Sequence, residues 1–328
     1  QENQQVRWPE GDQRDRRAGA DARHTPADAE QQAGAKPLHE GTPEEGRAFY
    51  LATTAGALTP EQVVPVARVQ DITVGGAVGP LKARVYRPEG EGPFPTVAYF
   101  HGGGFVIGDL DTHDNICRDI CRGASAVVVS VDYRLAPEHA FPAGIEDAVA
   151  ATKWIVAHAS ELGGGRIVGV AGDSAGGNFS AVVAQQLRDE GIPLAAQFLI
   201  YPAVDHVAAQ YPSVAENGEG YLLDVATINW FYDHYAGDYP DPMDPRLAPL
   251  QAKDLSRLAP ALVVTAQFDP LRDSGAAYAA AMNAAGSPAK HMPGPGMIHG
   301  FFEMGPWSPG AQQLMQRSIQ QFGAMLHE

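Results

Sequence analysis

The sequence predicts an α/β fold, a mostly parallel central sheet with helices on both faces. Three observations carry that expectation. From about residue 66 to the end, short β-branched runs alternate with segments of helical period, the pattern of a parallel sheet wound with crossover helices. The run "AVVVSVDY" (126–133) is almost continuously apolar, as a strand buried on both faces must be. With 328 residues, 45% of them hydrophobic, the chain can bury a large core.

Taken in order, "ARVQDITV" and "LKARVYRP" alternate apolar and polar residues as a half-buried hairpin does. "TVAYF" (96–100) is a short apolar strand ending at glycines, and "AVVVSVDY" follows after a helix that carries Cys117 and Cys121. "IEDAVAATKWIVAHASELGG" has helical spacing and a glycine stop. "RIVGVAG" reads as a strand, "NFSAVVAQQLRDEG" as a helix and "AAQFLIYP" as a strand. "ALVVTAQ" (261–267) is the next strand and "GAAYAAAMNAAG" the next helix. "AKHMPG" is a weak last strand, and "GAQQLMQRSIQQFGAMLHE" a closing amphipathic helix. The interval 203–244 breaks this rhythm. It is rich in aromatic residues, with one helix expected at Val225–Tyr235, and reads as a lid or substrate pocket inserted between strands. Residues 1–36 hold no large apolar residue between Trp8 and Leu38 and read as a polar tail.

Bulk properties exclude several roles. A formal charge of −16 leaves no basic stripe for nucleic acid and does not suit an anionic membrane surface. No run approaches the ~18 apolar residues of a membrane-spanning helix, nor is there a charged segment followed by an apolar one as in a signal peptide. A cytoplasmic location is expected, with export through a removed leader left open. Cys117 and Cys121, four apart on one helix face, are expected as small buried side chains. Only His113 stands near enough in sequence to join them at a metal, and none is expected.

"GVAGDSAGGNF" (169–179) is where the chemistry concentrates. A glycine turn between a strand and a helix either cradles phosphate or lifts a nucleophile clear of the backbone. The phosphate reading lacks G-x-x-x-x-G-K-[ST], and the spacing is wrong for a dinucleotide fingerprint. The nucleophile reading finds its required context, "RIVGV" leading in and "NFSAVVAQQL" leading out. A serine needs a base to take its proton and a third group to orient that base. With the acid between serine and histidine in the chain, His299 in "GMIHGF" is the candidate base, on a loop after the last strand. Asp269, directly after a strand, is the candidate acid, in preference to Asp273 in the helix that follows. The developing oxyanion needs preset donors: Ala175 N–H supplies one, and the glycines of "TVAYFHGGGFVIGD" the rest. His101 is expected to shape that loop.

Five motifs, "HGGGF", "VDYRLAPEHAFPAGIEDA", "GDSAGGN", "DPLRDSG" and "IHGF", together resemble the bacterial hormone-sensitive-lipase-like (family IV) carboxylesterases of the α/β-hydrolase fold. The resemblance runs from about residue 62 to the end and touches "ENGEGYLL" in the insertion. It implies Ser174, Asp269 and His299 as catalytic triad and Gly103, Gly104 and Ala175 as oxyanion hole. It also implies a small helical cap from 37–61 and 203–244 over a catalytic domain of 62–202 and 245–328. The implied reaction is hydrolysis of short- to medium-chain acyl esters by water through an acyl-enzyme, with no cofactor. An amidase, peptidase or lactonase using the same triad is the alternative, and a ligand-binding relative a more distant one. Arg134, Glu138 and Asp147 are read as a buried polar network. Phe105, Leu223 and Ile298 are candidate pocket walls. A homodimer is left open.

Overall fold

The computed structural model describes residues 36–206 and 211–328. The expected tail, apart from Lys36, lies outside the described residues, as does 207–210 of the insertion. Eight strands form one sheet in the order β1-β2-β4-β3-β5-β6-β7-β8. The predicted hairpin is β1 (Arg68–Gly75) paired antiparallel with β2 (Pro80–Arg87). β2 also runs antiparallel to β4 (Val127–Val131). All other neighbours are parallel: β3 (Phe94–Phe100), β5 (Gly164–Asp173), β6 (Gln197–Ile200), β7 (Ala261–Phe268) and β8 (Ala289–Ile298).

The helices of the body are α2 (Asp114–Ala124), α3 (Ala143–His158), α4 (Ala175–Asp189), α7 (Arg272–Ala284) and α8 (Pro309–His327). Alternate strand residues divide the core into two layers, as a period of two requires. Val97, Tyr99, Val128 and Phe198 meet α2 and α8 through Cys117, Cys121, Ile319 and Phe322. Ala98, Phe100, Val129 and Val170 meet α3 and α4 through Ile145, Ala148, Phe179 and Val183. Both cysteines are buried and unpaired. On the α8 side the Phe198 and Phe322 rings stack with centroids 4.9 Å apart.

After β3 the chain steps to β4 on one side, then returns past β3 to β5 on the other. The segments leaving β3 and β5 therefore diverge and leave a crevice at the carboxyl edge, where ligands bind in open α/β sheets. Over this edge lie α1 (Pro43–Thr53) and α6 (Val225–Ala236), which line the cavity, while α5 (Pro212–Asn217) packs at the tip of β7, where Ser213 Oγ donates to Pro270 O at 2.8 Å. Thr42 caps α1 by accepting from Glu45 N at 3.1 Å, and Asp224 caps α6 by accepting from Thr227 N at 2.7 Å. Arg47 fastens α1 to the body, donating to the carbonyls of Val106 (2.8 Å) and Ala136 (3.0 Å) and to the Glu138 carboxylate (2.7 and 2.8 Å).

Three local expectations need correction. β8 continues through the Pro/Gly-rich stretch to Ile298 rather than fading at 294. Pro293 and Pro295 are two residues apart, so the donors they remove lie on one side of the strand, and β8 has a neighbour on only one side. The helix after Ser174 begins at Ala175, three residues earlier than its apolar pattern suggests. Glu138 is not part of a buried network: its side chain is exposed and pairs with Arg47. Asp147 is fully buried, and its carboxylate accepts from Arg134 Nε (2.8 Å), Arg134 Nη2 (3.0 Å), Arg134 N (3.1 Å) and Ala77 N (3.2 Å).

Replacing Phe322 by alanine removes a fully buried ring from the α8 face and leaves a cavity. Urea unfolding should show a loss of about 3–5 kcal/mol; a loss below about 1 kcal/mol would contradict this packing.

Candidate active site

Ser174 sits between the end of β5 and the start of α4 with φ 55° and ψ −113°, a conformation costly for any residue with a side chain. The neighbours hold it there. Ser174 N donates to Ile200 O at 2.8 Å, while its carbonyl accepts from Asn178 N (3.0 Å) and Ala203 N (3.2 Å). The turn is tight because α4 starts against the end of β3: a Cβ on Gly176 would lie 1.8 Å from Phe100 O. Only glycine permits that approach.

His299 follows β8, and its Nε2 lies 2.9 Å from Ser174 Oγ. Its Nδ1 lies 2.7 Å from Asp269 Oδ2, and Asp269 is completely buried at the tip of β7. The other carboxylate oxygen accepts from Leu271 N at 2.9 Å, which fixes the group in orientation. A carboxylate can only accept here, so Nδ1 carries the proton and Nε2 offers a lone pair to the serine hydroxyl. Burial alone would pull His299 down. The Asp269 charge and hydrogen bond, assisted by Asp173 and Glu303, outweigh it and hold the imidazole above its ordinary value. Asp273 is occupied elsewhere, accepting from Ser213 N of α5 (2.8 Å) and from Arg272 Nε (2.9 Å).

Gly103 and Gly104 line the same cavity, with φ of 124° and 59°. Their N–H groups and that of Ala175 donate to no other described residue. A Cβ on Gly104 would stand 2.1 Å from the Phe231 ring of α6, so the loop must pass close beneath that helix. His101 is buried with Nδ1 2.7 Å from Gly102 O; burial, followed by the charge of His113, lowers it to about 4 and keeps it neutral.

The cavity occupies about 390 Å³ and takes in Ser174, His299, Phe105 and Leu223. Ile298 does not line it: that side chain is wholly buried in the α2/α8 face of the core, because β8 turns it inward one residue before His299. Phe105 stacks on Tyr235 of α6 at 4.0 Å, and the Tyr201 ring lies 4.6 Å from that of His299.

A buried cluster behind the serine escaped sequence reasoning. Asp173 Oδ1 accepts from Gly102 N (2.9 Å) and Tyr99 Oη (2.5 Å), while Oδ2 lies 3.0 Å from His113 Nε2. Glu303 Oε1 is 3.4 Å from the same nitrogen and accepts from Tyr50 Oη of α1. Thr112 gives its hydroxyl to Asp109 O at 3.0 Å and so accepts Nδ1–H of His113 at 2.8 Å. With Nε2 facing two carboxylates, His113 is an imidazolium. Burial opposes its charge, but Asp173 and Glu303 overcome that and raise it above its ordinary value. Asp173 is held low against burial by the same ion pair. The three ligand-type groups lie within 4.8 Å of one another. A cation there would have to displace the Nε2 proton that already balances the charge, so the cluster fits an ion pair better than a metal. His113 is thus tied to Asp173 and Thr112 rather than to the cysteines. Asp173 stood in the serine motif, but nothing near it in sequence disclosed its partners.

The family model for the alpha/beta hydrolase fold matches residues 97–303. The chain is 49% identical over 245 residues to the carboxylic ester hydrolase LipN of Mycobacterium tuberculosis, covering 72% of this chain and 65% of LipN. It is 44% identical to the esterase LipI of the same organism, over 81% of this chain and 85% of that protein. Among solved structures, EstE1, a thermophilic and thermostable carboxylesterase cloned from a metagenomic library, superposes with a TM-score of 0.82 at 40% identity. That match covers 88% of this chain and 98% of EstE1.

A base of this kind works only unprotonated, so kcat/KM should fall as pH drops, with a midpoint above 6.5. Asp269→Asn removes the charge that raises it and should lower that midpoint and cut kcat on the order of 10⁴-fold. Asp273→Asn should leave kcat within about tenfold. Equal losses in the two variants, read in one pH series, would reverse the assignment of the acid.

Proposed function

Because the chain belongs to the α/β-hydrolase family, we propose that it is a serine carboxylester hydrolase in which Ser174, His299 and Asp269 form the catalytic triad. The observation that carries this reading is the unbroken hydrogen-bonded chain from Asp269 through His299 to Ser174 in the floor of the cavity. Ser174 Oγ attacks the ester carbonyl as His299 Nε2 takes its proton. Asp269 keeps the imidazole in the required tautomer and stabilises the imidazolium. The negative oxygen of the tetrahedral intermediate accepts from the N–H groups of Gly103, Gly104 and Ala175, the last at the positive end of α4. His299 then protonates the departing alcohol, leaving an acyl-serine. Water, deprotonated by the same histidine, attacks it and releases the acid. Each proton transfer has a donor and acceptor among these residues and water, so no cofactor enters the scheme.

The proposed substrates are short- to medium-chain acyl esters. A cavity of about 390 Å³ is near the small end of the ~300–1,000 Å³ typical of small-molecule sites. The segments 37–61 and 203–244 form the proposed cap over a catalytic body of 62–202 and 245–328. Among the described residues, no helix is long and apolar enough to cross a membrane. A cytoplasmic location is proposed on the two unpaired cysteines, which suit a reducing compartment.

Turnover of p-nitrophenyl acetate, butyrate, octanoate and palmitate, alongside a matched anilide, tests the reading. Acetate or butyrate should be fastest, palmitate slowest and the anilide far slower than its ester. Ser174→Ala should remove at least about 10⁴-fold of kcat; activity surviving that change would sink the mechanism. Gly104→Ala places a methyl group against Phe231 and strains the left-handed loop, and should cost on the order of 10²-fold in kcat. An unchanged kcat would remove that loop from the oxyanion hole.

A further inference from the structure

We propose that Glu303 is a specificity-determining residue whose free carboxylate oxygen, facing the cavity beside the nucleophile, selects neutral esters that carry a hydroxyl group and rejects anionic ones. The proposal rests on the esterase reading and adds a substrate class to it. Four carboxylates line the cavity, those of Asp173, Asp205, Asp224 and Glu303, and no described Lys or Arg side chain does. Two of the four are committed at both oxygens, and a third is open to solvent. Asp173 uses both oxygens on Gly102, Tyr99 and His113. Asp205 accepts from Tyr211 Oη at 2.5 Å and from Gln251 Nε2 at 3.1 and 3.2 Å. Asp224 caps α6.

Glu303 differs. Its Oε1 is held by Tyr50 and approached by His113, whereas its Oε2 accepts no hydrogen bond from a described residue. Oε2 is not sealed from solvent and lies on the cavity side, 4.0 Å from where a Cβ on Gly300, next to His299, would stand. A carboxylate oxygen so placed, in a wall shared with Met304, Trp307 and Phe49, is a fixed acceptor in mostly apolar surroundings. A substrate hydroxyl can donate to it. A substrate carboxylate meets like charge, with no lining cation to offset it. The group is anchored as an acceptor must be: Tyr50 and His113 fix the head, and the backbone at Glu303 is set by Glu303 N donating to Gly300 O at 2.9 Å. Burial, against the charge of His113, pushes Glu303 up to about 7, so assays at pH 8.5 keep it largely ionised.

The test compares kcat/KM at pH 8.5 for ethyl butyrate, ethyl 3-hydroxybutyrate, 2-hydroxyethyl butyrate and monoethyl succinate. The two hydroxylated esters place the donor on the acyl and the alcohol side respectively. In the wild-type protein one of them should exceed ethyl butyrate by about tenfold, the worth of one hydrogen bond to a charged acceptor. Monoethyl succinate should be at least about tenfold poorer than ethyl butyrate. Glu303→Leu should erase the hydroxyl preference. Glu303→Gln, which keeps the size and an oxygen for Tyr50, should raise monoethyl succinate relative to ethyl butyrate about tenfold, because an N–H donor replaces the charge. If neither hydroxylated ester is preferred by the wild type, or if the preference survives Glu303→Leu, the proposal fails. An unchanged succinate ratio in Glu303→Gln also overturns it, even should the leucine variant not fold. Failure to hydrolyse ethyl butyrate at all would instead sink the esterase reading beneath it.

Discussion

The carboxylate of Asp173 is the junction on which the site depends. It ends β5 immediately before Ser174, is almost wholly buried, and accepts from the loop after β3 through Gly102 N and from the sheet through Tyr99 Oη. A buried charge with a missing partner is strongly destabilising, so each of these groups must be in place for the others to be tolerated. The effect is to set the distance between the serine turn and the glycine loop. Those two segments leave adjacent strands in diverging directions, and without a tie between them the glycine-loop N–H groups and Ser174 would have no common frame.

The same junction reaches outward. His113 balances Asp173, Glu303 approaches His113, and Tyr50 of α1 donates to Glu303. A chain of polar contacts therefore runs from the elbow to a helix that covers the cavity. Arg47, one turn before Tyr50 on α1, makes a second attachment, to the carbonyls of Val106 and Ala136. The covering helix is thus fixed by directional hydrogen bonds rather than by a broad apolar face: of its residues only Gly46 and Thr53 are buried. That economy suits a segment that must bound a cavity on one side and meet water on the other. Most of the hydrophobic stabilisation belongs to the sheet and its two helix layers.

Backbone strain is concentrated at the same place. Ser174, Phe105 and Tyr201 all have positive φ, and all three line the cavity. Each is held by packing and hydrogen bonds that the surrounding fold provides, the circumstance in which such conformations persist. Phe105 is pinned by its stack on Tyr235, and Tyr201 by Val264 O, which accepts from its N–H at 2.7 Å.

The strand and helix succession, the serine turn and the order of Ser174, Asp269 and His299 were legible in the sequence, because each is encoded by contiguous residues. Glycine next to glycine permits a tight turn wherever it occurs, β-branched runs extend, and an acid or histidine directly after a strand emerges at the sheet edge. What contiguity does not encode is which side chain faces which. Ile298 stands beside His299 in sequence yet points into the core, because the strand ends at Ile298 and the chain turns before His299. His113 has cysteines four and eight residues away, yet its partner is Asp173, sixty residues on. Tyr50 and Glu303 are 253 residues apart, and the tyrosine hydroxyl donates to the carboxylate. By itself the sequence determined the fold class and singled out Ser174, Asp269 and His299, which the structure brings within hydrogen-bond distance of one another. Only the tertiary structure decided the cavity wall and the buried ion pair behind it, since both arise where layers packed from distant segments meet.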